Sequence, residues 1–193
     1  MKIGIFGGTF DPPHNGHLHL AKCVADELSL DKIIVIPTFV APHKTKCNSS
    51  DALTRLEMCR LAFDSDLYEV SDIEINRGGK SYTFDTLTSL KKIYPDDSIF
   101  LIMGSDMLEY FSKWYRYKDI LELCTLCCVG RDNKSLTLPD FFTDADRVYL
   151  SSSEPLEMSS TFIRSAVKEE KNINDYLPKK VADYIKERKL YLD

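Results

Sequence analysis

The segment Gly7-Gly8-Thr9-Phe10-Asp11-Pro12-Pro13-His14-Asn15-Gly16-His17 brings paired glycines, paired prolines and two imidazoles into one short stretch. Glycine has no Cβ and lets the backbone approach a ligand closely. Pro12 and Pro13 hold the chain extended and delay a helix until about Asn15, a residue type suited to the N-cap. His14 and His17 therefore fall beside a helix amino terminus, where unpaired N–H groups and the helix dipole favour phosphate. Imidazoles placed there can donate hydrogen bonds to charge developing on a phosphoryl group, with no covalent step. The plainer alternative, a turn with two exposed histidines, is disfavoured by the strand expected before it and the helix expected after it. Common phosphate motifs do not explain the segment. G-x-G-x-x-G is absent, and Gly79-Lys80-Ser81 lacks the first Walker glycine because Glu74 stands at that position.

These residues need a scaffold, and the chain reads as alternating strand and helix. Lys2–Phe6 is a β-prone run that stops at Gly7-Gly8, and Lys32–Pro37 is a second. Between them His17–Leu28 places Leu20, Ala21, Val24, Ala25 and Leu28 at helical spacing, a strand–helix–strand unit long enough for a right-handed crossover. Asp51–Phe63 is expected to be helical, with a capping Asp and a stripe of Leu53, Leu56, Leu61 and Ala62; Glu69–Ile75 is expected to be a strand through Val70, Ile73 and Ile75. Thr83–Tyr94 reads as a helix ended by Pro95, and Ser98–Met103, Leu123–Val129 and Arg147–Leu150 read as strands. Ser159–Glu169 and Pro178–Lys189 close the chain as helices, the second with Pro in its first turn. The expected class is α/β, a doubly wound, mostly parallel sheet of five or six strands, with helices on both faces and ligands at the strands' carboxyl ends. Ala41–Ser50 and Asp132–Asp146 are the least structured stretches.

Composition narrows the function classes. With 193 residues, 44% hydrophobic and 28% charged, the chain is an ordinary globular length and balance for one domain. No apolar run approaches the ~18 residues of a membrane helix, and MKIGIFGGTF does not read as a secretory leader, so a cytoplasmic location without membrane contact is expected. A net charge of −5 argues against a nucleic-acid partner and requires a local basic pocket for an anionic substrate. Cys124-x-x-Cys127-Cys128 could bind zinc or shuttle electrons, but its neighbours are apolar and no second pair or nearby His completes a tetrahedral set. Buried, reduced cysteines are the better reading, and no metal site is assigned to the protein itself.

His14-x-Gly16-His17 resembles the H-x-G-H signature of the nucleotidyltransferase superfamily, whose members transfer a nucleotidyl group from an NTP and release pyrophosphate. Further pieces occur in the order found in the bacterial nicotinate-mononucleotide adenylyltransferases: Pro37–Lys44, Arg55-x-x-Met58, Arg77–Thr83 with Asp85-Thr86-Leu87, Gly104-Ser105-Asp106, Trp114, Ser159-Ser160-Thr161-x-x-Arg164 and Tyr176-Leu177-Pro178. They span nearly the whole chain, whereas Asp132–Asp146 is less recognisable. The resemblance implies a single Rossmann-like nucleotidyltransferase domain over 1–193, with the helices of about 159–189 packed on the sheet. It also implies adenylyl transfer from ATP to nicotinate mononucleotide in NAD biosynthesis, with Mg²⁺ bridging phosphates and held through nucleotide and water.

By the same resemblance, His14, His17, Lys44 and Arg164 are the catalytic set. ATP falls to Gly7, Gly8, Thr9, Phe10, the two histidines, Gly104, Asp106, Ser159, Ser160, Thr161 and Arg164. The nicotinate nucleotide falls to Thr9, Lys44, Tyr82, Thr83, Asp106, Trp114, Tyr115 and Arg131. The residues themselves leave some of these open. Lys44 follows the second strand and can reach the crevice, or it is a solvated loop lysine. Ser159-Ser160-Thr161 opens a helix bearing Arg164, a second anion site or a plain cap. Asp106 could cap a helix, and Trp114 among Phe111, Tyr115 and Tyr117 reads as core unless the resemblance decides for stacking on a pyridine ring. Tyr82-Thr83 opens a helix whose N–H groups could take a nicotinate carboxylate. The alternatives are a pantetheine-phosphate adenylyltransferase, against which Trp114, Tyr82-Thr83 and chain length speak, a nucleotide-binding sensor without catalysis, and a zinc or thiol-redox module. A homodimer is admitted as an assembly.

Overall fold

Runs rich in isoleucine and valine alternate with amphipathic stretches, and the chain resolves them into one parallel sheet wrapped by helices. The computed structural model describes residues 1–42, 50–130, 137–143, 145–153, 156 and 158–192. Its strands are β1 (Lys2–Gly8), β2 (Lys32–Pro37), β3 (Tyr68–Val70), β4 (Ser98–Gly104), β5 (Thr125–Val129) and β6 (Val148–Leu150). They pair in the order β3-β2-β1-β4-β5-β6, every pair parallel. The helices are α1 (Asn15–Leu28), α2 (Ala52–Ala62), α3 (Ile73–Arg77), α4 (Thr83–Ile93), α5 (Ser105–Leu108), α6 (Tyr117–Leu123), α7 (Ser160–Lys168) and α8 (Lys179–Glu187).

A sheet covered on both faces needs strands that are apolar on both faces. Phe6, Ile33, Val35, Ile102 and Cys127 point to the layer of α1, α2, α7 and α8, while Ile5, Ile34, Ile36, Leu101 and Cys128 point to the layer of α4 and α6. The closing helices are part of the first layer through Ile163, Ala166, Val181, Ala182 and Ile185. Cys127 and Cys128 lie on opposite sides of the sheet, so the C-x-x-C-C run cannot converge on one ion. Cys124 lies at the end of α6 rather than in β5, and burial pushes the Cys124 and Cys128 thiols up to about 12.

Several expectations need correction. Glu69–Ile75 is not one strand: β3 ends at Val70 and Ile73–Arg77 is helical. The Asn76 N–H donates to the Asp72 carbonyl at 2.8 Å, the i to i−4 bond of a helix. On α2 the buried face is Arg55, Leu56, Met58, Cys59 and Ala62, and Leu53 is 69% exposed. The N-cap of α1 is His14, not Asn15, and Pro178 caps α8 from outside its first turn.

Asp51 does cap α2, its carboxylate accepting from the Thr54 N–H at 2.9 Å and the Thr54 hydroxyl at 2.7 Å. Those bonds, the backbone one foremost, hold its pKa below the ordinary 3.8. Asp51→Ala is expected to lower stability by about 1 kcal/mol at neutral pH. A group with a depressed folded pKa contributes stability above its unfolded value and loses it as pH falls through the folded one. The difference between wild type and variant in urea denaturation should therefore shrink below about pH 4.

Candidate active site

The site begins where the two halves of the sheet part. β1 pairs with β4 only as far as Phe6 against Ile102, whereas Gly7 and Gly8 stay with Ile36 and Pro37, and Met103 and Gly104 stay with Cys128 and Val129. Neighbouring carboxyl ends thus splay apart between β1 and β4, at the switch point where open α/β sheets bind ligands. A Cβ at Gly7 would meet nothing within 4 Å, so this strand end faces open space. A Cβ at Gly8 would come within 2.9 Å of the Phe10 ring. That ring packs edge-on against Phe6, His17 and Phe63. Phe10 is 2% exposed, which leaves almost no surface of it for a ligand.

His14 is extended, at φ −143° and ψ 169°, and starts α1. The backbone N–H of His14 donates to Nδ1 of His17 at 3.1 Å, and the two rings stack at 3.6 Å. A ring nitrogen that accepts cannot carry the proton, so neutral His17 holds its hydrogen on Nε2 as a donor. No acidic residue occupies the first turn of α1 to neutralise its positive end. Asn15 is drawn away from capping: its N–H donates to the Tyr176 carbonyl at 2.9 Å and its side chain to the Asp175 carbonyl at 3.1 Å. A narrow cleft beside the histidines is lined by Gly16, His19, Leu20, Val129, Gly130 and Met158 among others. The larger hollow, about 570 Å³, lies at the opposite, amino end of β2 among Lys32, Asp64, Asp66 and Glu69 and is unconnected with this chemistry.

One element from far along the chain, α7, holds the β1–α1 loop at two points. Arg164 on α7 donates to the Asp11 carbonyl at 2.8 Å and to the Thr161 hydroxyl at 3.3 Å. Ser160 donates its hydroxyl to the Pro12 carbonyl at 2.9 Å, and Ser159 caps α7 by accepting from the Phe162 N–H at 3.2 Å. The Ser159–Thr161 turn and Arg164 are therefore brought to the histidine loop, with part of their hydrogen bonding spent on that loop. The peptide between Asp11 and Pro12 is cis.

Arg55 stood in the sequence only as part of the Arg55-x-x-Met58 piece, and its role comes from the structure. It is 1% exposed, and its guanidinium donates to the carbonyls of Thr9 at 2.8 Å, Thr38 at 2.7 Å, Phe39 at 3.3 Å and Ser50 at 3.4 Å. One side chain thus ties the ends of β1 and β2 to the start of α2. The available signal was a charge at the first position of an apolar i, i+3, i+4, i+7 set: Arg55, Met58, Cys59, Ala62.

A second cluster gathers around the start of α4. Tyr82 and Tyr115 have ring centroids 4.9 Å apart, and Arg116 lies 3.9 Å over the Phe84 ring. Thr83 is the first residue of α4, though Asp85 in the same turn opposes an anion there. The Ser81 hydroxyl accepts from the Phe39 N–H at 2.9 Å, which joins this cluster to the end of β2. Buried Glu74 accepts from the Thr86 hydroxyl at 2.7 Å, and Arg77 donates to that hydroxyl at 3.0 Å, locking α3 to α4. Trp114 is half-buried against Phe111 at 5.2 Å, so it is neither wholly core nor wholly free. Gly104 and Asp106 lie at the end of β4 and the start of α5, Asp106 half-buried. Lys44 and Arg131 lie outside the described residues.

Helices on both faces, a parallel sheet in this order and histidines at the switch point define a nucleotide-handling α/β protein, and a cytidylyltransferase-like family model matches residues 5–166. The chain is 42% identical over 192 residues to the nicotinate-nucleotide adenylyltransferase of Bacillus subtilis, covering 98% of each chain. By this match it belongs to the nicotinate-nucleotide adenylyltransferase family. Two solved structures of Plasmodium falciparum nicotinic acid mononucleotide adenylyltransferase share its fold: one complexed with APC (TM-score 0.77, 20% identity, covering 98% and 96% of the chains) and one with NaAD (TM-score 0.75, 21% identity, 98% and 97%). Among the described residues no helix is long and apolar enough to cross a membrane.

Proposed function

We propose that this enzyme joins ATP and nicotinate mononucleotide to give deamido-NAD and pyrophosphate, with the chemistry at the β1–α1 loop. The observation that carries the reading is the His14–His17 pair: one imidazole accepts a backbone N–H through Nδ1 and so presents Nε2–H at a helix amino terminus. A phosphate oxygen of the mononucleotide attacks the α-phosphorus of ATP in line. One P–O bond forms, the bond to the β-phosphate bridge breaks, and pyrophosphate leaves with the electron pair. The protein's part is to orient two anions and neutralise the charge between them. His17 donates to the phosphoryl oxygens, His14 supports it, and Arg164 and Lys44 add positive charge. Gly7, Gly8, Thr9, Gly104, Asp106 and the Ser159–Thr161 turn hold ATP. Thr9, Asp106, Tyr82, Thr83, Trp114, Tyr115 and Arg131 hold the nicotinate nucleotide.

Mg²⁺ enters with ATP. Among the described residues no three His, Cys, Asp or Glu side chains gather to hold a cation. In this reading the ion would be carried by phosphates and water, where it would offset phosphate charge. A cytoplasmic location belongs to the same reading.

Pyrophosphate release measured side by side with nicotinate mononucleotide, its amide and phosphopantetheine tests the assignment. The acid mononucleotide should be turned over fastest, and preference for phosphopantetheine or silence with all three would overturn it. Trp114→Ala is expected to raise KM for the mononucleotide by about tenfold, since stacking on a base-like ring is worth ~1–3 kcal/mol. A defect confined to KM for ATP would remove Trp114 from that role.

A further inference from the structure

The cytidylyltransferase-like model ends at residue 166, and the chain continues through α8 and then turns back toward the β1–α1 loop. Two residues of that tail, Lys189 at φ 51° and Tyr191 at φ 64°, adopt the left-handed conformation that side chains disfavour. The Leu190 N–H closes the turn on the Ile185 carbonyl at 3.0 Å. Strained backbone of this kind persists where the surroundings over-determine it. Here the reversal delivers the Tyr191 phenol into the interior, where it donates to Oδ1 of Asp11 at 2.8 Å across 180 positions of sequence. Both partners are buried, Tyr191 to 9% and Asp11 to 4% exposure. Burial first, and the Asp11 charge second, push the phenol well above its ordinary range, which keeps it a donor at any working pH. The other Asp11 carboxylate oxygen accepts from the Ser50 N–H at 3.4 Å, and the Asp11 carbonyl accepts from Arg164. Asp11 is thus the node where the tail, α7 and the start of α2 meet, three residues before His14.

We infer that Tyr191 is a positioning residue for adenylyl transfer: its bond to Asp11 sets the path of the loop that presents His14 and His17. This rests on the functional reading above. The phenol touches no reacting atom. It holds the buried carboxylate while Arg164 and Ser160 hold the main chain at Asp11 and Pro12. With the phenol's bond gone, the ring still fills its place, but the loop can shift by fractions of an ångström, a displacement that adenylyl transfer reads in kcat.

Tyr191→Phe in the full chain is expected to lower kcat about tenfold with KM for ATP and for nicotinate mononucleotide within twofold. The urea midpoint should fall, because a buried carboxylate oxygen loses its donor, while the protein stays folded under assay conditions. Asp11→Ala should lower kcat at least as far, and the double variant should be no slower than Asp11→Ala alone, because both remove one bond. A Tyr191→Phe enzyme with wild-type kcat overturns the proposal. So does a loss explained wholly by a smaller folded fraction, or fully additive losses in the double variant. If wild type itself releases no pyrophosphate with the mononucleotide, the functional reading falls and this role with it; if wild type is active and Tyr191→Phe matches it, only the role of Tyr191 falls.

Discussion

His17→Ala is expected to lower kcat by about 10²–10³-fold while KM for ATP changes little, the range typical of deleting one donor to a developing oxyanion. His17 accepts the His14 N–H through Nδ1, so its remaining hydrogen is on Nε2 and points away from the backbone it caps. In the proposed role, a donor held this way needs no reorganisation when charge builds on the phosphoryl oxygens, and its contact would tighten only as the transition state forms. Alanine removes the donor and the acceptor for the His14 N–H together, so some loss of stability should accompany the loss of rate. Steady-state kinetics beside urea denaturation separate the two. An unchanged turnover rate would remove His17 from the chemistry and leave it a capping residue.

The second large effect is expected at Arg55. Arg55→Ala should destabilise the fold by about 3–5 kcal/mol, out of the ~5–15 kcal/mol that domains of this kind possess. The substitution empties the space of a long buried side chain. It also withdraws the donors that serve the Thr9, Thr38, Phe39 and Ser50 carbonyls, each costing ~1–3 kcal/mol if left without a partner. Relief of the desolvated charge offsets part of this; burial lowers the Arg55 pKa, while Asp11 and Asp51 counter it. Arg55→Lys should recover only a fraction, because an ammonium cannot reach carbonyls on both sides as the planar fork does. A loss below about 1 kcal/mol in urea denaturation would mean that water takes over these carbonyls.

How much was legible follows from how local each feature is. The glycine–proline–histidine loop could be read because a strand, a turn and a helix start are written in adjacent residues. Even there the cap was misplaced by one, since Asn15 is claimed by carbonyls at Asp175 and Tyr176 that no local pattern announces. Ile73–Ile75 was read as the end of a strand because short apolar runs are ambiguous, and the inward pull on Glu74 comes from Thr86 on the next helix. Phe10 lay in a ligand loop by position, but its ring is taken up by Phe6, His17 and Phe63. Leu53 looked like core and is solvent-exposed, because Arg55 takes the inward face in its stead.

The order of elements, the all-apolar strands, the histidines beside a helix start and the family to which they belong were all present in the linear chain, because hydrophobic period, turn chemistry and capping are energies between near neighbours. Folding added the splay of β1 from β4, the placing of Cys127 and Cys128 on opposite faces, and the partners of the loop: Arg55, Arg164 and Tyr191, which are 46, 153 and 180 positions away from the groups they bind. A carbonyl carries no mark in a sequence, and which buried donor reaches it is settled by the packing of whole layers.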